Sequence, residues 1–575
     1  MDARVAVRER VAASRDRLVA LSHRIHAHAE LAFEEERAAA WCAEALDAAG
    51  FAVERGVGDL PTAFVARAGS GPLHLALCAE YDSLPGIGHA CGHNLIAAIA
   101  VGAGIAAARV ADDVGLTVSV VGTPAEERGG GKILLLERGA FLPREKANWD
   151  SVEVFQRDRY HTDEVWYDRN GKELHPGTGY WVGGNTKVYG AALFRLRPRD
   201  FEEVRHKGGV SPAWPIRYAD LAPYYTQAER LYEVHGQRGL DPTDPEDREE
   251  FPFPAISHEP RIQEVHDADL TCVRPALQHP SVTLVTGARV TRLHVSASGR
   301  EVTEVEAEVE GAPQRFAADL VVVACGAINS AVLLLRSATD KHPKGLANGS
   351  GQVGRNFMKH NNAAMVGVTK ELNPTVFQKT MAFNDFYWGE KDYPYSMGHV
   401  QLLGKVNADM MTTDAPGIVP RAVLERMAKH SIDWWLTGED LPDPANRVHL
   451  VDDKIYLDYA ENNSEPFGRL LDRWHDILKS IECAEHFLPC AFYMRKTVPL
   501  QGVAHQAGTC RFGDDPKSSV LDVNCRAHEV DNLYVVDASF FPSIGAVNPS
   551  LTIMANALRA GDHLLERMGA TPERR

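Results

Sequence analysis

Residues 129–141 read GGGKILLLERGAF, and the character of the chain changes across them. Up to about residue 131 the sequence is rich in Ala and alternates helical patterns with short apolar strands. ERAAAWCAEALDAA (36–49) predicts a helix stopped by Gly50. LHLALCAEYD (73–82) predicts a buried strand running into a polar loop, Asn94 to Arg109 a helix, and LTVSVVG (116–122) another buried strand. Strands alternating with helices predict a mostly parallel α/β layer. After about residue 143 long connections rich in Pro, Asp and Tyr appear, as at 224–260. Further buried strands are expected in SVTLVTGARVTRL (281–293), ADLVVVACG (318–326) and NLYVVDASFF (532–541). Ligands of parallel sheets bind at the carboxyl ends of strands, where Cys325, Gly326 and Asp537 fall.

The chain's 575 residues suffice for two to four domains, and 45% apolar with 24% charged residues is ordinary for a globular protein. With 61 basic and 78 acidic residues the net charge is −17, which argues against nucleic acid or an anionic membrane as partner. The N-terminus is charged throughout and lacks the apolar core of a secretory signal. The longest apolar run, Leu95 to Ala108, is too short to span a bilayer. Nine cysteines form no paired framework, so a reducing cytoplasm is the expected location.

Residues 80–94, EYDSLPGIGHACGHN, crowd Glu80, Asp82, His89, Cys91 and His93 together, and GTPAEERGGG (122–131) adds Glu126 and Glu127. Soft and borderline ligands with a carboxylate suit zinc or a similar divalent ion, and a second carboxylate can activate a metal-bound water. With IHAHAELAFEE (25–35), these stretches resemble the aminoacylase-type metallo-amidohydrolases over about residues 17–132. The resemblance implies Cys91, His93 and Glu127 as ligands of zinc or manganese and Glu126 as general base. It also implies later His ligands and a lid domain, neither of which has a counterpart after residue 140, so the metal site is expected to be incomplete and weak.

Further on, GYWVGGNTKVYGAALFRLRPRDF (179–201) sets a Gly pair before two short polar residues. Glycines permit close backbone approach to a bulky or anionic ligand. AHQAGTCRFGDDPKSSVLD (504–522) and VVDASFFPSIGAVNPSLTIMANALRAGDHL (535–564) supply His505 and Asn548 as a candidate polar pair. Alcohol oxidation needs a base for the hydroxyl proton, which imidazole suits. It also needs a hydride acceptor, which only a flavin or nicotinamide can supply.

Together with ILLLERGAFLPREKANWD (133–150), VVACGAINSAVLLLRS (322–337) and GQVGRNFMKH (351–360), these stretches closely resemble the glucose–methanol–choline (GMC) oxidoreductases. The resemblance spans about three quarters of the chain and is nearest to the bacterial branch acting on sugars and polyols. It implies that Glu137 ends the second strand of a flavin domain and holds the adenosine ribose of FAD. It further implies that Gly183, Gly184, Asn185 and Thr186 line the flavin and its pyrophosphate, that Val290 meets the adenine, and that Gly326, Ala327 and Asp537 touch the cofactor. His505 would be the catalytic base and Asn548 its companion. The family's GGSS-type run reads GGNT here, and its following Asn is Tyr189.

The family's flavin domain opens with a strand, a G-x-G-x-x-G turn and a helix, which cradle the pyrophosphate. That unit belongs just before Ile133, where the amidohydrolase-like segment ends instead. Gly102, Gly104 and Ala107 match the turn pattern but lie in a helix, and Gly349, Gly351 and Gly354 match it in a loop; neither has the required context. Residues 129–141 fit both families, which ask for helix there in one case and strand in the other, a local conflict in folding. The resemblance also implies a second gap, between EPRIQ (259–263) and EVHDADLTCVRPAL (264–277).

The expected architecture is therefore α/β with mostly parallel, three-layer sheet regions. A truncated metallo-amidohydrolase-like half-domain (1–131) precedes a GMC-like flavin fold (132–575) that lacks its first βαβ unit. Flavin-binding parts are expected at about 132–200, 281–340 and 500–575, and a substrate-binding part at about 355–500. The expected function is FAD-dependent oxidation of CH–OH groups in a small-molecule alcohol, sugar or polyol, impaired by the missing motif, with weak FAD binding. The electron acceptor (oxygen, quinone or a cytochrome) is left open. A metal-dependent amidohydrolase and a non-catalytic fusion remnant are the alternatives. Hydrolysis of acyl-amino acids with added zinc or manganese is expected to be negligible, and turnover abolished by Glu126→Gln would contradict that.

Overall fold

A computed structural model describes the chain except residues 1–2, 32–33, 58–59, 72, 84–88, 90–91, 125–132, 156, 188–191, 238, 246–248, 256–273, 278–281, 370, 376–378, 413–414, 416, 481–495, 503–504 and 570–575. Two compact units result, one of residues 1–133 with 279–283, the other of 134–278 with 284–575. The proposed gap between residues 263 and 264 lies outside the described residues.

In the first unit α1 (Ala3–Ala27) and α2 (Glu36–Asp47) are followed by β1 (Ala52–Arg55), β2 (Phe64–Ala68), β3 (Leu73–Glu80), α3 (His93–Ala108) and β4 (Leu116–Thr123). The sheet order is β1-β2-β4-β3. β3 and β4 pair in parallel, because α3 provides the crossover that parallel neighbours require. β1 and β2, joined by a short connection, are antiparallel, as are β2 and β4. Leu46, Phe64, Tyr81, Val101 and Val120 are fully buried in the core between helices and sheet. The glycines of α3 serve this packing. A Cβ at Gly104 would come within 2.3 Å of Val120 Cγ2, and one at Gly102 within 2.6 Å of Leu18 Cδ1. They are helix contact points, with no role as a phosphate turn.

Beyond the first unit's sheet the chain forms two short pairs of strands. β5 (Ile133–Leu136) comes first, and α4 (Tyr218–Leu231) follows. The stretch 281–293, read from sequence as one strand, is broken at Gly287 with φ +64°. It yields β6 (Val282–Val285), which pairs with β5, and β7 (Ala288–Val295), which opens an antiparallel ribbon with β8 (Val302–Val309) and β9 (Ala312–Phe316). A left-handed residue turns the chain out of one sheet into another, and apolar periodicity alone does not register that. β10 (Val321–Val323) leads into α5 (Ala327–Arg336).

Next come β11 (Met358–Lys359), β12 (Asn361–Val368), β13 (Ala382–Phe383), β14 (His399–Leu402) and β15 (Ser431–Gly438), then α6 (Ser464–Ser480), β16 (Lys496–Thr497) and β17 (Gln506–Ala507). Five of them form a sheet in the order β13-β14-β15-β12-β16. α6 covers it with Phe467, Leu470, Leu471, Trp474 and Leu478, a stripe at helical spacing that is buried with Met365, Trp434 and Leu436. β18 (Leu533–Val535) pairs in parallel with β10, and α7 (Ser550–Arg567) closes the chain.

The doubly wound strand order 3-2-1-4-5 identifies what is missing. β6 and β5 take the third and second places, and β10 and β18 the fourth and fifth. Among the described residues no strand joins these two pairs into one sheet. Leu134 and Val322, on the two strands that would flank the first place, are 42% and 46% exposed.

α4 is tied to α7 by the Tyr225 and Thr552 hydroxyls at 2.7 Å, and to the GGNT-bearing segment by a buried ion pair. Arg195 Nε and Nη2 donate to the two carboxylate oxygens of Glu229 at 2.8 and 2.6 Å, both side chains being at most 3% exposed. Removing one partner of such a pair leaves a buried charge unmatched, at a cost of roughly 3–5 kcal/mol. Glu229→Ala is therefore expected to lower the denaturant midpoint of the second unit strongly, whereas a shift equivalent to under about 1 kcal/mol would show that water repairs the site.

Candidate functional site

β11 and β17 form a two-residue antiparallel ladder, Met358 opposite Ala507 and Lys359 opposite Gln506. One step further along the same register, His360 comes to face His505. Their rings stand perpendicular with centroids 4.9 Å apart, and Nδ1 lies 2.8 Å from Nδ1. His360 is fully buried, and its Nε2 is 3.1 Å from the carbonyl oxygen of Gly545. Burial, then the neighbouring His505, push His360 well below the usual imidazole range. Burial, with the Lys379 ammonium second, pushes His505 down to about 4. Burial alone brings Lys379 to about 8.

The loop carrying Asn548 is fixed from below. Gly545 has φ +61°, and a Cβ there would press on Leu196 Cδ2 at 2.6 Å, so both conformation and space demand glycine. Its N–H donates to Glu439 Oε1 at 3.2 Å, and the Ala546 N–H donates to the Tyr387 hydroxyl at 3.1 Å. Tyr387 in turn donates to Asp200, whose carboxyl burial pushes up to about 7. Half-buried Asn548 accepts at Oδ1 from Gln401 Nε2 at 3.2 Å. With its oxygen so engaged, Asn548 keeps its amide N–H groups for another acceptor.

At the carboxyl ends of β10 and β18, Asp537 is a bracket. One oxygen accepts the Gly326 N–H at 3.0 Å and the Ser330 hydroxyl, and the other the Ser539 N–H at 2.9 Å. Ala327 begins α5 beside it, with its carbonyl taken by the Thr509 hydroxyl. Gly326, at φ +84°, is exposed and has nothing within 4 Å of a would-be Cβ, which leaves the helix start open to a ligand. Glu137 follows β5; its carboxylate accepts the Gly139 N–H at 2.8 Å, and burial pushes it upward. Val290 is half-buried on β7. Gly183 and Gly184 have φ +92° and +60°, Asn185 accepts the Gly179 N–H at 3.2 Å, and the Thr186 hydroxyl donates to Gly183. These side chains close their own turn. Tyr189 lies outside the described residues.

Among the residues expected to bind metal, Cys91, Glu126 and Glu127 lie outside the described residues. His93 is buried, with Nδ1 2.9 Å from Asp82 Oδ1 and Nε2 3.6 Å from Glu80 Oε2. Among the described residues no group of three or more His, Cys, Asp or Glu is arranged to hold a metal ion. Likewise, no described helix is long and apolar enough to cross a membrane. Two residues that contact the candidate site residues were not singled out from sequence, His360 and Gln401. His360 ends the GQVGRNFMKH stretch, but only the β11–β17 register reveals its partner.

An FAD molecule has two ends and a charged middle. The resemblance assigns Glu137, Val290 and the start of α5 to its ends. For the pyrophosphate, no described strand, glycine turn and helix lead into β5, so the described residues fit FAD only in part.

Residues 243–362 and 480–557 match the family model described as GMC oxidoreductase. The chain is 32% identical over 513 aligned positions to 6'''-hydroxyparomomycin C oxidase of Streptomyces lividus, with 77% of this chain and 88% of that protein covered. It is 44% identical over 258 positions to the Xaa-Arg dipeptidase of Mus musculus, covering 39% of this chain but only 58% of that enzyme. Among solved structures, pyridoxine 4-oxidase from Mesorbium loti superposes with a TM-score of 0.52 at 18% identity, over 76% of this chain and 95% of that one.

Because its lowered pKa keeps His505 neutral, diethylpyrocarbonate is expected to acylate it at a rate that stays level as pH falls and drops only near about 4. Peptide mass spectrometry would follow this, and a midpoint at or above about 6.5 would contradict the buried, neutral imidazole.

Proposed function

The chain belongs to the GMC oxidoreductase family, and from that premise we propose that it oxidises a CH–OH group of a small alcohol, sugar or polyol, with a weakened hold on its flavin. Family membership implies FAD, which when bound supplies the hydride acceptor. The observation that carries the reading is that His360 ties His505 to the carbonyl of Gly545, on the loop that carries Asn548, whose amide oxygen is already engaged by Gln401. A neutral imidazole takes the hydroxyl proton, and the amide N–H groups steady the substrate oxygen as charge develops there. The Gly545 loop and the β11–β17 ladder hold the two without rearrangement, which favours orientation over mobility.

Weak FAD binding follows from the missing first strand, glycine turn and helix. Each charge-assisted hydrogen bond to a phosphate is worth roughly 1.5–3 kcal/mol. Losing two or three weakens binding by roughly two to six powers of ten, at about 1.4 kcal/mol per decade. Glu126 and Glu127 stand in the sequence where the turn would be and repel a pyrophosphate. The N-terminal unit is read as catalytically silent, since the metal ligands its resemblance implies are incomplete.

Titration of the purified chain with FAD, followed by absorbance after gel filtration, tests both parts. Flavin is expected to bind in excess cofactor and to be lost on the column. Under saturating FAD, His505→Ala is expected to lower alcohol oxidation by about 10²–10⁴-fold. Stoichiometric flavin retained through the column would overturn the weak site, and unchanged oxidation in the variant would overturn the role of His505.

A further inference from the structure

The hydrogen-bond inventory around His360 settles which nitrogen of His505 carries its proton. A carbonyl oxygen only accepts, so the 3.1 Å contact of His360 Nε2 with Gly545 requires the hydrogen on Nε2. A neutral imidazole has one N–H, and fully buried His360 is held neutral, so its Nδ1 is a bare lone pair. That lone pair faces His505 Nδ1 at 2.8 Å. His505 must then donate from Nδ1 and carry its own lone pair on Nε2. Among the described residues no group is bonded to His505 Nε2.

We propose that His360 is a positioning residue, which holds His505 as its Nδ1–H tautomer and so leaves the Nε2 lone pair free to take a proton. The proposal rests on the reading of His505 as base only for its consequence; the tautomer stands on the hydrogen-bond geometry together with the buried, neutral state of His360. The arrangement is a directed chain. The Gly545 carbonyl accepts from His360, His360 accepts from His505, and His505 Nε2 is left as the open end. The chain is anchored at Gly545, whose N–H is bound by Glu439. The charged and titratable groups acting on the pair are Lys379 beside His505 and His399 beside His360. Burial holds His399 at about 3, so it is neutral near pH 7 and does not reverse the polarity of the chain. A catalytic histidine in the wrong tautomer offers an N–H where a lone pair is needed, which costs orders of magnitude in rate without changing any distance.

The test is ¹⁵N NMR of the full chain with ring-labelled histidine, the His505 signals being those that vanish in His505→Gln. At about pH 7 the Nε2 signal is expected at a pyridine-like position and the Nδ1 signal at a pyrrole-like one. In His360→Leu both should move toward the average of the two tautomers. In His360→Gln, whose amide can accept from His505 and donate to Gly545, they should return. A pyrrole-like Nε2 in the unaltered protein would overturn the proposal, as would unchanged His505 signals in a folded His360→Leu chain. If His360→Leu fails to fold, the unaltered protein's spectrum still decides. A pyridine-like Nε2 combined with undiminished oxidation by His505→Ala would leave the tautomer standing and remove only the base.

Discussion

The site depends on a ladder of two residues. Lys359 opposite Gln506 and Met358 opposite Ala507 are, among the described residues, the backbone pairs of β11 and β17, and they join segments about 145 positions apart and set His360 against His505. Register in an antiparallel pair has period two, so a slip of one position would turn one histidine away from the other. The slip is opposed on both flanks. β12 continues from β11 into the five-stranded sheet, and the chain beyond β17 is bonded at Gly508 and Cys510 to the Ala538–Phe540 turn. The ladder is short, but the elements on either side over-determine it.

Much of the fold was legible because its signals are local. Apolar runs ending in Gly or Asp located β3, β4, β10 and β18, and the Ala-rich run located α3. The break at Gly287 was not legible, since a run of valines reads the same whether or not a residue of positive φ divides it. In the site, His505 and Asn548 stood out through family-like motifs. Gln401 and His360 did not, because each acquires its role from a partner distant in sequence. A buried glutamine on a strand and a histidine after a lysine carry no signal of their own.

The clash at residues 129–141 has a physical shape as well. One stretch cannot serve both as a helix opening after a glycine turn and as the second strand of a doubly wound sheet. The structure takes the strand, with Glu137 bonded through its backbone to Val285 and Ala288. The last described strand before it, β4, belongs to the first unit's sheet.

The two unjoined strand pairs matter beyond the cofactor. β5 and β10 each present an edge whose N–H and C=O groups have no backbone partner among the described strands, flanked by the half-exposed side chains of Leu134 and Val322. In an intact sheet such edges are interior, so they carry none of the lysines, prolines or bulges with which proteins blunt exposed strands. An apolar strand edge of this kind is the feature by which sheets pair with a strand from another molecule. The net charge of −17 keeps whole molecules apart, but it acts over about a Debye length, roughly 8 Å at physiological ionic strength, and so yields at contact. For this chain the unpaired strand edges therefore bear on colloidal behaviour as well as on the cofactor.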